Sequence, residues 1–189
     1  MSAKRQELVE TAMRLFGEYG FHATGIDRIA EEANISKKTM YNHFRSKDEL
    51  IIAALKHYDG VARNHFMKEV EKRANNPYER LLAVFDVSRD WFSEKRFFGC
   101  MFIKVIGEFS DRNEAILQVS REYKRLIAEF IEKLVLEAGI ANAKEVAASL
   151  ALLLEGAIVI AQISGNPDSA DTARTAAKVI IDDALKEKS

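Results

Sequence analysis

Between Ser36 and Lys47 the chain carries four basic side chains (Lys37, Lys38, Arg45 and Lys47) and no acidic one. Polar donors stand among them: Thr39, Tyr41, Asn42 and His43. An ammonium near the start of a helix can donate to guanine O6 and N7, and a carboxamide can bond both N6 and N7 of adenine. Hydroxyl and imidazole groups, and the amides of a helix N-terminus, suit phosphate oxygens. The chemistry on offer is hydrogen bonding to a polyanion and to base edges. Each residue also has an ordinary structural reading. Adjacent lysines on a short helix are commonly a solvated face, Tyr41 alone is a surface aromatic, and His43 reads as a packed cap residue. Met40 and Phe44, four apart, read as core.

Such a face has to be presented by a short helix whose neighbours hold it in place, and the flanking residues carry the signals for one. Leu8, Ala12, Leu15, Phe16 and Tyr19 recur with helical period, and Gly20 follows where a left-handed cap is wanted. Thr24-Gly25-Ile26-Asp27 resembles a capping box with Asp in place of Glu or Gln. Ile26, Ile29, Ala30 and Ala33 then stripe a short second helix. Asn34-Ile35 is a tight connection, and Ser36 can cap a third helix reaching about Phe44. Ser46-Lys47-Asp48-Glu49 is a stronger capping box, opening a long fourth helix through Leu50, Ala54, Leu55 and Tyr58. Two short helices joined by a tight turn, the second studded with donors, form the pattern of a helix-turn-helix.

The whole chain has 189 residues, 28 basic and 29 acidic, for a formal charge of -1. Residues 1–50 are balanced at eight against eight, so the basic excess is confined to the third helix and its flanks. With 48% apolar and 30% charged residues the chain can bury a core, and only two prolines interrupt it. No stretch alternates like a strand. Asn76-Pro77 opens a fifth helix carrying Leu81, Leu82, Phe85, Trp91 and Phe92, followed by an irregular stretch from Ser93 to Gly99. A short helix from Met101 to Phe109 ends near Ser110-Asp111. A long one through Ile116, Tyr123, Ile127 and Leu134 stops at Gly139. A nearly all-apolar helix opens at Asn142 and runs to Gly165-Asn166-Pro167, and a final helix carries Ala173, Ala177, Ile180 and Ala184. The expected fold class is all-α with nine helices. Ser149, Glu155 and Gln162 interrupt the apolar eighth helix, which favours burial over a membrane span. One cysteine, Cys100, fits a reducing compartment, and its expected state is a buried inert thiol rather than a redox sensor. The charged N-terminus lacks a signal-peptide core, so the expected location is the cytoplasm.

The run Phe21-His22-Ala23-Thr24-Gly25-Ile26-Asp27-Arg28-Ile29-Ala30-Glu31-Glu32-Ala33-Asn34-Ile35-Ser36, continued by Lys37-Lys38-Thr39-Met40-Tyr41-Asn42-His43-Phe44-Arg45-Ser46-Lys47-Asp48-Glu49-Leu50, resembles the DNA-binding domain of TetR-family transcriptional repressors. The likeness lies in the alanine pair of the second helix, the Thr-Met-Tyr-x-His-Phe string and the Lys-x-x-Leu opening the fourth helix. Asn34 stands where a turn glycine is frequent, and Met40 where Leu is common. The resemblance implies that Lys37, Lys38 and Asn42 face base edges, that Thr24, Arg28, Thr39, Tyr41, His43 and Lys47 lie near phosphates, and that Ile26, Ile29, Ala30, Met40 and Phe44 form the small domain's core. Arg28 has the alternative of pairing with Glu31 or Glu32 on its own helix. The implied organisation is a helix-turn-helix domain over residues 1–46, a connecting helix over 47–74, and an effector-binding and dimerisation domain over 75–189.

The last two helices, with Ala147, Ala151, Ala157 and Ala161 allowing close approach, would build an intersubunit four-helix bundle, so the expected partners are an operator duplex and a second copy. A small, largely apolar effector would enter an aromatic-rich middle section of Trp91, Phe92, Phe97, Phe98, Met101, Phe102, Phe109 and Tyr123, with Glu155 as a polar group in need of a partner. The same rings also read as plain core. The long fourth helix is the natural lever between effector and DNA. Two other classes compete: a DNA-binding regulator controlled by a protein partner instead of a ligand, and, remotely, a helical enzyme with a diffuse site. The four histidines (His22, His43, His57, His65) show no metal-binding spacing, and there is no glycine-rich phosphate loop or nucleophile elbow, so no metal, cofactor or catalytic residue is expected.

Overall fold

The computed structural model describes residues 3–109 and 113–186, so Ser110 and Asp111, the expected end of the sixth helix, lie outside the described residues. Among the described residues there are nine helices and no strand: α1 (Ala3–Tyr19), α2 (Ile26–Glu32), α3 (Lys37–His43), α4 (Lys47–Arg73), α5 (Pro77–Phe92), α6 (Met101–Phe109), α7 (Glu114–Glu137), α8 (Ala143–Ser164) and α9 (Ser169–Lys186). The chain forms two compact units. One comprises Met1–Ala62 with Cys100–Tyr123, the other Arg63–Gly99 with Lys124–Ser189, so α4 and α7 each contribute to both.

In the first unit, α1 buries Leu8, Val9, Ala12, Leu15 and Phe16 and stops at Gly20, whose φ of +88° is open to glycine at little cost. The α2–α3 turn is set by Asn34 at φ 51°, a left-handed conformation that Asn tolerates, and by the Ile35 N–H donating to the Ala30 carbonyl at 2.9 Å. Ser36 caps α3, its hydroxyl accepting the Thr39 N–H at 3.1 Å. At α4 the Ser46 hydroxyl accepts the Glu49 N–H at 3.2 Å. The Glu49 carboxylate reaches back to the Arg45 N–H at 2.7 Å, one residue earlier than in the usual box. Leu8, Phe16, Phe21, Ile29, Met40, Phe44 and Leu50 close the core of this unit with no exposed surface. Ile26, expected in the core, is half-buried.

Thr24 departs from its expected capping role. Gly25 is the N-cap residue of α2 and makes no side-chain cap bond. Thr24 is fully buried, and its hydroxyl donates backwards to the Gly20 carbonyl at 2.7 Å, with the Leu15 carbonyl at 3.3 Å. It ties the loop to the end of α1.

In the second unit, Asn76 caps α5 by accepting the Glu79 N–H at 2.9 Å, with Pro77 at the first helical position. α9 packs against α8 and α5. On α8, Ala147, Ala157 and Ala161 are buried within the chain, and Ala151 is half-buried. The opposite side of α8 exposes Leu152, Val159, Ile160 and Ile163. By length and composition α8 is the one described helix that could cross a membrane.

Candidate nucleic-acid interface

On α3, Lys37, Lys38, Tyr41 and Asn42 are all exposed. Their spacing of i, i+1, i+4 and i+5 puts them on one side of the helix, and Met40 and Phe44 anchor the other side in the core. The expected base-reading residues and Tyr41 are therefore gathered on one solvent face. Thr39 and His43 are half-buried at its margin.

The other expected phosphate contacts divide. Thr24 has no exposed surface, and its hydroxyl is engaged with the Gly20 carbonyl at 2.7 Å. Arg28 lays its guanidinium 3.8 Å over the Tyr19 ring, with Nε 3.7 Å from Glu32. That is the intrahelical pairing left open by the sequence, with a cation–π contact added. Lys47 extends its ammonium towards the His22 carbonyl at 3.4 Å, and burial lowers its pKa against the opposing pull of Glu108 and Asp48.

Two side chains outside the expected contact set act here, Asp27, expected only as a capping residue, and Glu108. Asp27, in the first turn of α2, holds the Lys37 ammonium at 2.7 Å, so the α3 face is less cationic than the count over 36–47 implies. Glu108 on α6 accepts the Phe21 N–H at 2.9 Å and the His22 N–H at 2.6 Å, and the His22 ring stands 3.0 Å from the same carboxylate. Lys104, one turn earlier on α6, donates to the Gly17 carbonyl at 2.6 Å. Burial alone would raise the Glu108 pKa, but the backbone N–H groups of His22 and Phe21 and the His22 ring outweigh it and hold the carboxylate below its ordinary range. α6 thus fastens the end of α1 and the loop leading into α2.

The aromatic candidates form separate clusters. In the second unit Trp91, Phe92 and Phe97 pack together with centroids 5.0–5.5 Å apart, and Phe98 is partly exposed. In the first unit Phe102 stacks on Tyr123 at 3.9 Å beside Tyr58, and Met101 is buried with its Cε facing Gly17. Phe109 stacks on His22 at 4.8 Å and meets Phe21 edge-on, so it belongs to the α6 fastening. Glu155 has its partner: both its oxygens lie 2.6 Å from the Lys124 ammonium. The second unit also has an open cavity of about 290 Å³ ringed by Arg73, Tyr78, Glu79, Asp86, Arg174 and Lys178 over Leu82 and two alanines. Cys100 is buried, and no metal-binding group of His, Cys, Asp or Glu occurs among the described residues.

A helix-turn-helix whose third helix turns ammonium and carboxamide groups to solvent, in an all-helical chain, defines a DNA-binding protein of the regulator class. The comparisons place it further. Residues 8–54 match the bacterial regulatory proteins of the tetR family, and residues 77–177 match the tetracyclin repressor-like C-terminal domain. The chain belongs to the TetR family and is a DNA-binding transcriptional regulator, not an enzyme. It is 26% identical over 171 residues to the HTH-type transcriptional regulator BetI of Brucella melitensis, covering 88% of this chain and 84% of that one. It is 38% identical over 95 residues to the HTH-type regulator YerO of Bacillus subtilis, a match spanning 48% of this chain and only 33% of YerO. The TetR-family regulator SCO4454 of Streptomyces coelicolor superposes with a TM-score of 0.87 at 25% identity, over 96% of this chain and 95% of that one.

Proposed function

We propose that the protein is a cytoplasmic homodimeric repressor, released from a palindromic operator by a small effector. The observation that carries the reading is the single exposed face of Lys37, Lys38, Tyr41 and Asn42 on a capped, core-anchored α3. Lys37, Lys38 and Asn42 take base edges, and Thr39, Tyr41, His43 and Lys47 take phosphates. Residues 1–46 act as the DNA-binding domain, 47–74 as the connecting helix, and 75–189 as the effector-binding and dimerisation domain.

The dimer reading rests on α8, where Leu152, Val159, Ile160 and Ile163 form an exposed apolar stripe. The buried alanines, expected at the interface, instead bring α8 close to its own chain's helices. A two-fold dimer then presents two α3 helices to two half-sites. An effector shifts the balance between DNA-competent and incompetent head spacings only by its differential affinity for the two states. The unbroken α4 is the proposed lever.

A largely apolar effector is supported by the cluster of Trp91, Phe92 and Phe97 in the second unit. The charged lining of the 290 Å³ cavity favours a second reading, a polar effector. Footprinting of the full chain on DNA flanking its own gene tests the core proposal. A protected near-palindrome with half-site centres about one helical turn or a multiple apart is the expected result. Protection of a lone half-site would overturn the dimer, and no protection on any selected duplex would overturn sequence-specific reading. Displacement from that duplex by apolar or by charged small molecules separates the two effector readings, and displacement by neither leaves control by a protein partner.

A further inference from the structure

The Lys37–Asp27 pair joins a residue at the start of the proposed base-reading helix to an acidic one on the supporting helix. The ammonium and carboxylate are 2.7 Å apart, and their side chains are 55% and 78% exposed. The pair therefore sits at the surface, where DNA would meet it, and its partners can exchange. Asp27 raises the Lys37 pKa by hydrogen bonding and by its charge, so the lysine stays cationic throughout the working pH range.

We propose that Asp27 is a specificity-determining residue, which withholds Lys37 from phosphates while leaving it able to read a base. The inference rests on the base-reading role of α3 given above. A phosphate that takes the ammonium either displaces the carboxylate, an exchange of one anion for another that gains little, or shares the ammonium with it. In both cases Asp27 stands beside the phosphate, where the two repel. Guanine O6 and N7 are neutral acceptors. An ammonium has three N–H donors, so it can bond a guanine edge while one N–H remains on Asp27. The pair thus penalises the backbone contacts that dominate binding to random DNA and tolerates the base contact that marks an operator. It makes the carboxylate a discriminating element although it need not touch DNA itself.

The test uses the full-length protein on two duplexes, one selected from a randomised pool and one scrambled, titrated between 50 and 200 mM salt. Asp27→Asn should raise affinity for the scrambled duplex about three- to tenfold. It should also gain one phosphate contact, an extra loss of about threefold across that salt range. Affinity for the selected duplex should change less than about twofold, so the specificity ratio falls. Asp27→Glu, which keeps the charge, should behave as the parent protein. In a Lys37→Ala background the Asp27→Asn effect should vanish, because there is no ammonium left to release. An equal gain on both duplexes, or the same gain with Lys37 absent, would overturn the proposal in favour of a simple field effect. If Lys37→Ala alone weakens both duplexes equally, the base-reading role underneath it fails first, and the inference with it.

Discussion

The His22 backbone N–H donates to the Glu108 carboxylate at 2.6 Å across 86 positions of sequence. Its neighbour Phe21 donates to the other oxygen of the same group. The loop these residues occupy feeds directly into α2, which supports α3, so one carboxylate on α6 fixes the entry to the DNA-reading motif. Gly20 belongs to the same joint. Its positive φ suits glycine, and a Cβ there would fall 2.9 Å from Glu108 Oε1.

Removing that carboxylate should loosen the motif. Glu108→Ala strands two N–H groups, one of them in a part-buried setting, and should lower unfolding stability by about 1–3 kcal/mol. Glu108→Gln keeps one acceptor oxygen and should recover part of the loss. Urea denaturation of the three proteins checks the order, and equal midpoints would show that the clamp adds nothing.

The same group sets a pH dependence. The folded-state pKa of Glu108 lies below its unfolded value near 4.5, so its contribution is complete above that value and is lost as pH falls through the lower, folded pKa. Stability should therefore fall below about pH 4.5, and the fall should be shallower in Glu108→Gln, which has no charge to lose. Parallel acid titrations by circular dichroism read the difference. Identical slopes would remove Glu108 from the acid response.

Local signals were legible in the sequence, and angles between elements were not. Gly20, Ser36, Ser46 and Asn76-Pro77 each act on the next turn of chain, and each stands at the helix end it announced. The exposed side of α3 was legible because helical spacing alone sets Lys38 and Asn42 opposite Met40. The Asp27–Lys37 pair depends on how α2 crosses α3, and the Glu108 clamp on where α6 lies against the head, so neither leaves a sequence pattern. Thr24 misled because a threonine before a helix looks the same whether it caps forward or ties backward. The rings from Trp91 to Phe109 read as one group, yet Phe109 serves the α6 joint and Trp91, Phe92 and Phe97 serve each other.

Thr24 can be separated from DNA contact by experiment. Thr24→Val keeps the shape and deletes the donor to the Gly20 carbonyl, at a cost of about 1–2 kcal/mol in stability. The salt dependence of DNA binding should be unchanged, since no phosphate contact is lost. A salt slope smaller by one contact would restore Thr24 to the phosphate set.

The exposed side of α8 predicts how the protein assembles. Leu152 and Ile163 are 74% and 77% exposed, more than a stable surface needs of large aliphatic groups three turns apart. Leu152→Glu and Ile163→Glu should each shift sedimentation towards the monomer and weaken operator binding, with little change in folding of the isolated chain. Ala157→Leu, on the buried side, should instead destabilise the fold by overpacking, by about 1–3 kcal/mol. Dimers that persist in both glutamate variants would place the interface elsewhere.

The division of labour on and beside α3 gives the last test. Lys37→Ala or Asn42→Ala should relax discrimination at one operator position by about fivefold to a hundredfold, the range of a lost base contact. Tyr41→Phe and Lys47→Ala should weaken all duplexes alike, and only Lys47→Ala should also reduce the salt slope, by about one contact. Lys47 is the sharper case, because its ammonium starts half-buried near the His22 carbonyl and must turn outwards to meet a phosphate. A slope unchanged in Lys47→Ala would assign that lysine to the loop it touches, alongside Glu108, and would leave the phosphate contacts of the head to α3 itself.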